Sequence, residues 1–295
     1  MAADLAREIP SARALLERAD SIVGYPLSKI MSGERGAELN RTVYTQPAVF
    51  VHSMAVWEII RERFPLNPSI SAGHSLGEYS ALCASGVLDF ETALEIICVR
   101  AKAMDEAQPP GTCGMAAVVG LTAERVCEIV AGVRGAEVLE PANFNAPDQV
   151  VISGHLEAVR RAVDALAGEK RSRAVMLPVS SAFHTSLMEP ARNALSDRLA
   201  RMSTATGLFP VVSNVTARPH PASDIEIKQL LIDQVVHPVK WTDCIRTMLE
   251  HGAGMFVEVG PGKVLTGLLK RIERSTRAIS VSDLDGLNAL RGAGA

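Results

Sequence analysis

Between Gly114 and about Val179 the spacing of apolar residues switches repeatedly between period two and period 3.6. Met115 to Val119 reads as a strand, Ala123 to Val130 as a helix, and Glu137 to Ala142 and Gln149 to Ser153 as two strands. Leu156 to Ala167 then reads as a helix and Ala174 to Val179 as a strand. An order of β-α-β-β-α-β has few compact solutions. The favoured one is a ferredoxin-like layer, a small antiparallel sheet with both helices on one face. Pro109, Pro110 and Gly111 stand just before it and mark a natural boundary.

The flanking sequence has a different rhythm. Val49, Phe50, Ala55, Val56, Ile59 and Ile60 recur at helical spacing over Gln46 to Phe64, and Pro65, Asn67 and Pro68 stop that helix. A short strand follows around Ser69 to Ala72, then helices over Leu76 to Ser85 and Phe90 to Glu106, the second with Asp89 as N-cap. Beyond the block come a helix from about Leu187 to Met202, a strand near Pro210 to Ser213, and helices around Asp224 to Val235 and Asp243 to Glu250. A strand from Met255 to Val259 leads into Gly260-Pro261-Gly262, and Gly292 to Ala295 reads as a frayed tail. Alternation of this kind favours a parallel sheet with functional loops at the carboxyl ends of its strands. The expected organisation is therefore a discontinuous α/β frame, residues 1–112 and 180–295, interrupted by a ferredoxin-like subdomain over 113–179.

One motif carries chemistry. Gly73-His74-Ser75-Leu76-Gly77 matches G-x-S-x-G and falls between the short strand and an amphipathic helix, the setting in which that pattern forms a nucleophile elbow. The two glycines are expected because a Cβ two residues to either side of the serine would collide with neighbouring strands. Ser75 would then stand at a helix N-terminus, where the Leu76 amide can donate to a developing oxyanion. A serine hydroxyl needs a base. His74 is adjacent, and neighbours on an elbow diverge, so it reads as a pocket-lining residue. His52, His155, His220, His237 and His251 lie in or beside helices and turns. His184 closes Ser180-Ser181-Ala182-Phe183 directly after a strand, where an α/β site gathers its catalytic groups. No Asp or Glu can be nominated by spacing to orient it; a backbone carbonyl accepting the Nδ1 proton would serve.

Charge and composition narrow the partners. Thirty Lys and Arg against 33 Asp and Glu leave a formal charge of -3, which provides no footprint for nucleic acid. The first twenty residues are studded with charge and no later stretch is apolar enough to span a bilayer, so a cytoplasmic protein is expected, away from membranes. Five widely spaced cysteines, Cys83, Cys98, Cys113, Cys127 and Cys244, suggest neither a disulfide framework nor a zinc site. No metal is implied, and Gly260-Pro261-Gly262-Lys263 lacks the spacing of a phosphate loop.

Taken together the residues resemble the malonyl-CoA:acyl carrier protein transacylase family of fatty acid and polyketide synthesis. The resemblance spans nearly the whole chain. It rests on Glu38-Leu39-Asn40 through Tyr44-Thr45-Gln46-Pro47-Ala48, on the elbow extended to Leu82, and on Asn143-Phe144-Asn145-Ala146-Pro147. Ala182-Phe183-His184 and the run from Val257 to Leu268 complete it. The family fold is a hydrolase-like α/β frame with a ferredoxin-like insert. By resemblance, Ser75 is the acylated nucleophile, His184 its base, and Arg100 the arginine that grips the free malonyl carboxylate. Gln234 resembles the residue whose main-chain carbonyl orients the histidine, Asn214 a pocket asparagine, and Phe183 the bulky residue that disfavours an α-methyl branch. The implied substrates are malonyl-CoA and an acyl carrier protein, with no cofactor beyond the coenzyme A thioester, and the family implies a monomer.

The family begins with a strand and a Gly-Gln-Gly-Ser-Gln loop that supplies a second oxyanion amide, and nothing in this sequence matches it. Met1 to Ala6 aligns with the helix that follows that loop. A start placed too late is the favoured expectation; a truncated chain, or one working without the loop, are the others. Two other functions stay open: an acyl hydrolase that clears carrier-bound groups, and a catalytically weak carrier-binding module.

Overall fold

The computed structural model describes residues 1–179 and 181–293, so Ser180 and the last two residues of the expected tail lie outside the described residues. Among the described residues the strands are β1 (Ser71–Ala72), β2 (Cys113–Val119), β3 (Leu139–Ala146), β4 (Gln149–His155), β5 (Arg173–Met176), β6 (Val211–Val212), β7 (Met255–Val259) and β8 (Arg277–Val281). The chain divides into two compact units. The first comprises Met1–Lys102, Met202–Val212 and Met248–Ala295, and the second Ala103–Arg201 and Ser213–Thr247.

The first unit is built on the helix Thr42–Arg63. Twelve of its residues are buried, including the consecutive run Gln46 to Val56 apart from Val49, so it is covered on almost every side rather than along one stripe. It begins four residues before the expected start at Gln46. Backbone and hydroxyl bonds from Tyr44 and Thr45 to the Arg41 carbonyl close the first turn upstream of Pro47, whose ring then forfeits only one interior hydrogen bond. The strands of this unit form two parallel pairs, β1 with β6 and β7 with β8. Helix Val264–Ile272 connects β7 to β8 as a βαβ crossover. Gly292, part of the expected frayed tail, closes the helix Leu284–Gly292.

In the second unit the strands run in the order β3-β4-β2-β5, every neighbouring pair antiparallel, which is the ferredoxin-like arrangement. Helices Ala123–Val133 and Leu156–Ala167 cover one face. Val126, Val130, Ala158, Val159, Ala162 and Leu166 pack there against Ala116, Val118, Leu139, Val150 and Ile152. On the opposite face Met115, Ala142 and Val151 carry Phe183. β5 ends at Met176, short of the expected Val179: Leu177 still donates to the Met115 carbonyl, but Pro178 has no N–H with which to continue the ladder.

β3 runs further than expected, to Ala146, because Asn143, Phe144 and Ala146 stay paired with Val151, Val150 and Gln149 of β4, and a second partner lies on its outer edge. Asn143 forms a parallel bridge with Val239, Phe144 donates to the Val239 carbonyl at 2.9 Å, and Val239 donates to that of Ala142 at 2.9 Å. Thr242 adds a hydroxyl bond to the Phe144 carbonyl. These bonds draw Ser213–Thr247 into the same unit as the sheet, so that unit takes in more chain than residues 113–179.

Candidate active site

Ser75 sits where the sequence places it, between β1 and helix Leu76–Ala84, with φ 51° and ψ -105°. A non-glycine residue at positive φ is strained and is held there only by its surroundings. Gly77 donates to the His74 carbonyl and Glu78 to that of Ser75, closing the turn into the helix. The Leu76 amide is the first of that helix and has no intrahelical acceptor, as an oxyanion donor requires. His74 is half-buried on the same turn.

The expected reason for the two glycines needs correcting. A Cβ on Gly73 would lie 1.9 Å from the Gly77 carbonyl carbon, so the clash is with the elbow's own backbone and not with a neighbouring strand. A Cβ on Gly77 would meet nothing within 4 Å. Only the first glycine is sterically required.

Arg100 comes to Ser75 from the helix Phe90–Glu106, which is tied at its start by Asp89 accepting from the Thr92 amide at 2.8 Å and hydroxyl at 2.7 Å. The arginine side chain is not a solvated surface group: the residue is 1% exposed. Its Nη2 donates to Ser75 Oγ at 3.0 Å and its Nη1 to Gln46 Oε1 at 2.5 Å, while the guanidinium lies 5.6 Å from the Tyr79 ring centroid. Burial pushes the guanidinium pKa down, opposed by the nearby Tyr79 and Glu78. Burial pushes the Tyr79 phenol up, opposed by Arg100.

Two participants here have no role in the sequence reading. Gln46 appears there only as the expected start of a helix and inside a matched string, and Glu78 only inside the extended elbow. A carboxamide within an otherwise apolar buried helix, and a fully buried carboxylate one turn after Ser75, are the signals that could have found them.

His184 and Gln234 meet within the second unit. The imidazole is buried, at 3% exposure, and its Nδ1 lies 2.8 Å from the Gln234 carbonyl oxygen, the geometry of an N–H donating to a backbone acceptor. His184 has φ 60°, so Ser75 and His184 are two of the five non-glycine residues at positive φ among the described residues. Phe183 packs on the sheet face formed by Met115, Ala142 and Val151. Asn214 is wholly buried, and its main-chain carbonyl accepts from Lys240 at 3.0 Å. Ser75, His74, Leu76 and Arg100 thus belong to the first unit, and His184, Phe183, Gln234 and Asn214 to the second.

Three other histidines are bound elsewhere. His52 Nε2 lies 2.8 Å from the Ser282 carbonyl, His155 Nδ1 accepts from the Val138 amide at 3.0 Å, and His237 Nδ1 lies 2.8 Å from the Asp233 carbonyl. All five cysteines are free thiols, Cys113 and Cys244 buried and the others half-buried. Among the described residues no helix is long and apolar enough to cross a membrane.

Residues 1–288 match the family model described as the acyl transferase domain. The chain is 40% identical over 291 residues to the malonyl CoA-acyl carrier protein transacylase of Haemophilus influenzae, covering 98% of this chain and 93% of that one. Among solved structures, the malonyl-CoA:acyl carrier protein transacylase of Xanthomonas oryzae superimposes with a TM-score of 0.96 at 39% identity, covering 99% of this chain and 93% of that one. A type II PKS acyl-carrier protein in complex with its malonyl-transacylase matches with a TM-score of 0.94 at 40% identity, covering 99% of this chain and 94% of that one. With its elbow, its buried arginine and its ferredoxin-like sheet in place, the chain belongs to the acyl transferase domain family, among the malonyl CoA-acyl carrier protein transacylases.

Proposed function

We propose that this chain moves a malonyl group from malonyl-CoA to the phosphopantetheine thiol of an acyl carrier protein through an ester on Ser75. The observation that carries the reading is the buried guanidinium of Arg100, 3.0 Å from the Ser75 hydroxyl oxygen and held from behind by Gln46. A planar cation beside the nucleophile can grip a carboxylate through two parallel hydrogen bonds. An uncharged acyl group would gain nothing from it, which disfavours a general acyl hydrolase. The names of the relatives and the solved carrier complex support the same reading.

The reaction balances in two halves. His184 takes the Ser75 hydroxyl proton as Oγ attacks the thioester carbonyl; the C–S bond breaks, and coenzyme A leaves with that proton. The carrier thiol then gives its proton to His184 and attacks the ester carbonyl; the C–O bond breaks, and Ser75 recovers a proton. Donation of the Nδ1 proton to Gln234 leaves Nε2 as the basic nitrogen. The Leu76 amide serves the oxyanion. Both halves are complete with these side chains and the thioester, so no cofactor is invoked.

The test is the intact mass of the protein after rapid quenching with malonyl-CoA. A malonyl adduct on the wild type, absent in Ser75→Ala and replaced by an acetyl adduct when Arg100→Ala meets competing acetyl-CoA, is expected. A folded protein that acquires no malonyl mass would overturn the transferase reading in favour of a carrier-binding module. Acetyl-carrier hydrolysis faster than malonyl transfer would favour the hydrolase.

A further inference from the structure

We propose that Asp233 is a positioning residue that holds the Gln234 carbonyl in place for His184, with Arg192 as its clamp; the proposal rests on His184 acting as the base. All the groups involved lie within the second unit. Helix Asp224–Gln234 ends by presenting two consecutive carbonyls to two imidazoles, that of Asp233 to His237 and that of Gln234 to His184, each at 2.8 Å. Carbonyls at a helix C-terminus carry partial negative charge, so an acceptor there favours the imidazolium formed when the base takes a proton. In a Ser-His-Asp triad a carboxylate performs that task. A main-chain acceptor has no side-chain torsion to adjust, so its placement depends on whatever anchors the end of its helix.

The anchor is visible one residue earlier. Arg192 Nη2 donates to Asp233 Oδ1 at 2.9 Å, and Gln229 Nε2 donates to the same oxygen at 3.0 Å. Arg192 stands on the helix Glu189–Leu199, which follows His184 after the single turn Ser186–Met188. The contacts therefore close a ring: His184 to the Gln234 carbonyl, Gln234 to Asp233 through the chain, Asp233 to Arg192, and Arg192 back along the backbone to His184. The two charged side chains are 35% and 22% exposed, so the pair contributes little to overall stability, and its value lies in geometry. The other carboxylate near Arg192, that of Glu189, lies at 3.5 Å and competes weakly for the same guanidinium.

The experiment uses the full chain and reads three quantities: the maximal single-turnover rate of acylation by malonyl-CoA, the half-saturating concentration, and the His184 Nδ1–H proton resonance, assigned by its loss in His184→Ala. Arg192→Met and Asp233→Asn are expected to slow maximal acylation about tenfold, to leave half-saturation unchanged, and to shift the resonance upfield. Arg192→Lys is expected to keep most of the rate and of the shift. If Asp233→Asn does not fold, Arg192→Met and Arg192→Lys carry the test. Folded variants with wild-type rate and resonance, in a protein whose His184→Ala form is inactive, would overturn the clamp and leave the base assignment standing. Acylation undiminished in His184→Ala would overturn the base assignment, and the clamp with it.

Discussion

At the scale of single residues, the elbow separates two glycines that look equivalent in the motif. Gly73 has no room for a Cβ because the Gly77 carbonyl occupies that space, whereas Gly77 faces open space inside the first turn of its helix. Gly73→Ala is therefore expected to destabilise the protein by roughly 3 kcal/mol or more, as overpacking against rigid backbone does. Gly77→Ala is expected to raise stability by about 0.5–1 kcal/mol through helix propensity. Denaturant titration of the two variants checks both signs, and a well-tolerated Gly73→Ala would contradict the geometry. Gln46 supports a second prediction at this scale: Gln46→Leu removes the acceptor of Arg100 Nη1. It is expected to raise the half-saturating concentration of malonyl-CoA about tenfold, the scale of one hydrogen bond to a charged group, with acetyl-CoA affected far less.

At the scale of elements, the helix that delivers Arg100 depends on its N-cap. Asp89 is exposed to solvent. Burial alone would raise its pKa, but the bonds from Thr92 and the nearby Arg18 outweigh that and bring it below the ordinary carboxylate value. A carboxyl depressed in the folded state contributes stability that is fully present above its unfolded pKa and is lost as pH falls through the folded one. Asp89→Ala is thus expected to cost about 1 kcal/mol at neutral pH, and the gap from wild type should close once pH drops below the carboxylate range. Thermal melts across that range read the difference directly. A gap independent of pH would mean that the cap works without its charge.

At the scale of the whole molecule, Ser213–Thr247 joins the second unit through bonds to the edge of its sheet. The Phe144 and Val239 amides, donors to carbonyls on opposite sides of that bridge, should exchange hydrogen in step with the amides of β2 and β4. Val239→Pro, which removes one of those donors, should accelerate exchange across β3 while leaving the Ser75 turn protected. Exchange confined to the substituted loop would show that the bridge does not couple the two segments.

Much of this molecule was decided locally. The G-x-S-x-G spacing, Asp89 ahead of a periodic apolar run, and the bounds of Leu156–Ala167 and Met255–Val259 follow from short-range patterns, because caps, turns and amphipathic faces act over a few residues. β8 was not legible: five residues after a charge-rich stretch show no strand until β7 supplies the partner. Nor does Asn143-Phe144-Asn145 read as strand until β4 and Val239, the latter nearly a hundred residues away, pair with it on either side. The burial of Arg100, its grip by Gln46, and the clamp of Arg192 on Asp233 likewise exist only once distant segments meet. By itself the sequence determined where much of the chain turns, the helices of the strongly periodic segments, and which serine stands at a helix start. Only the tertiary structure decided which polar groups are desolvated together, because desolvation and pairing depend on what lies across space and not on what lies beside a residue in the chain.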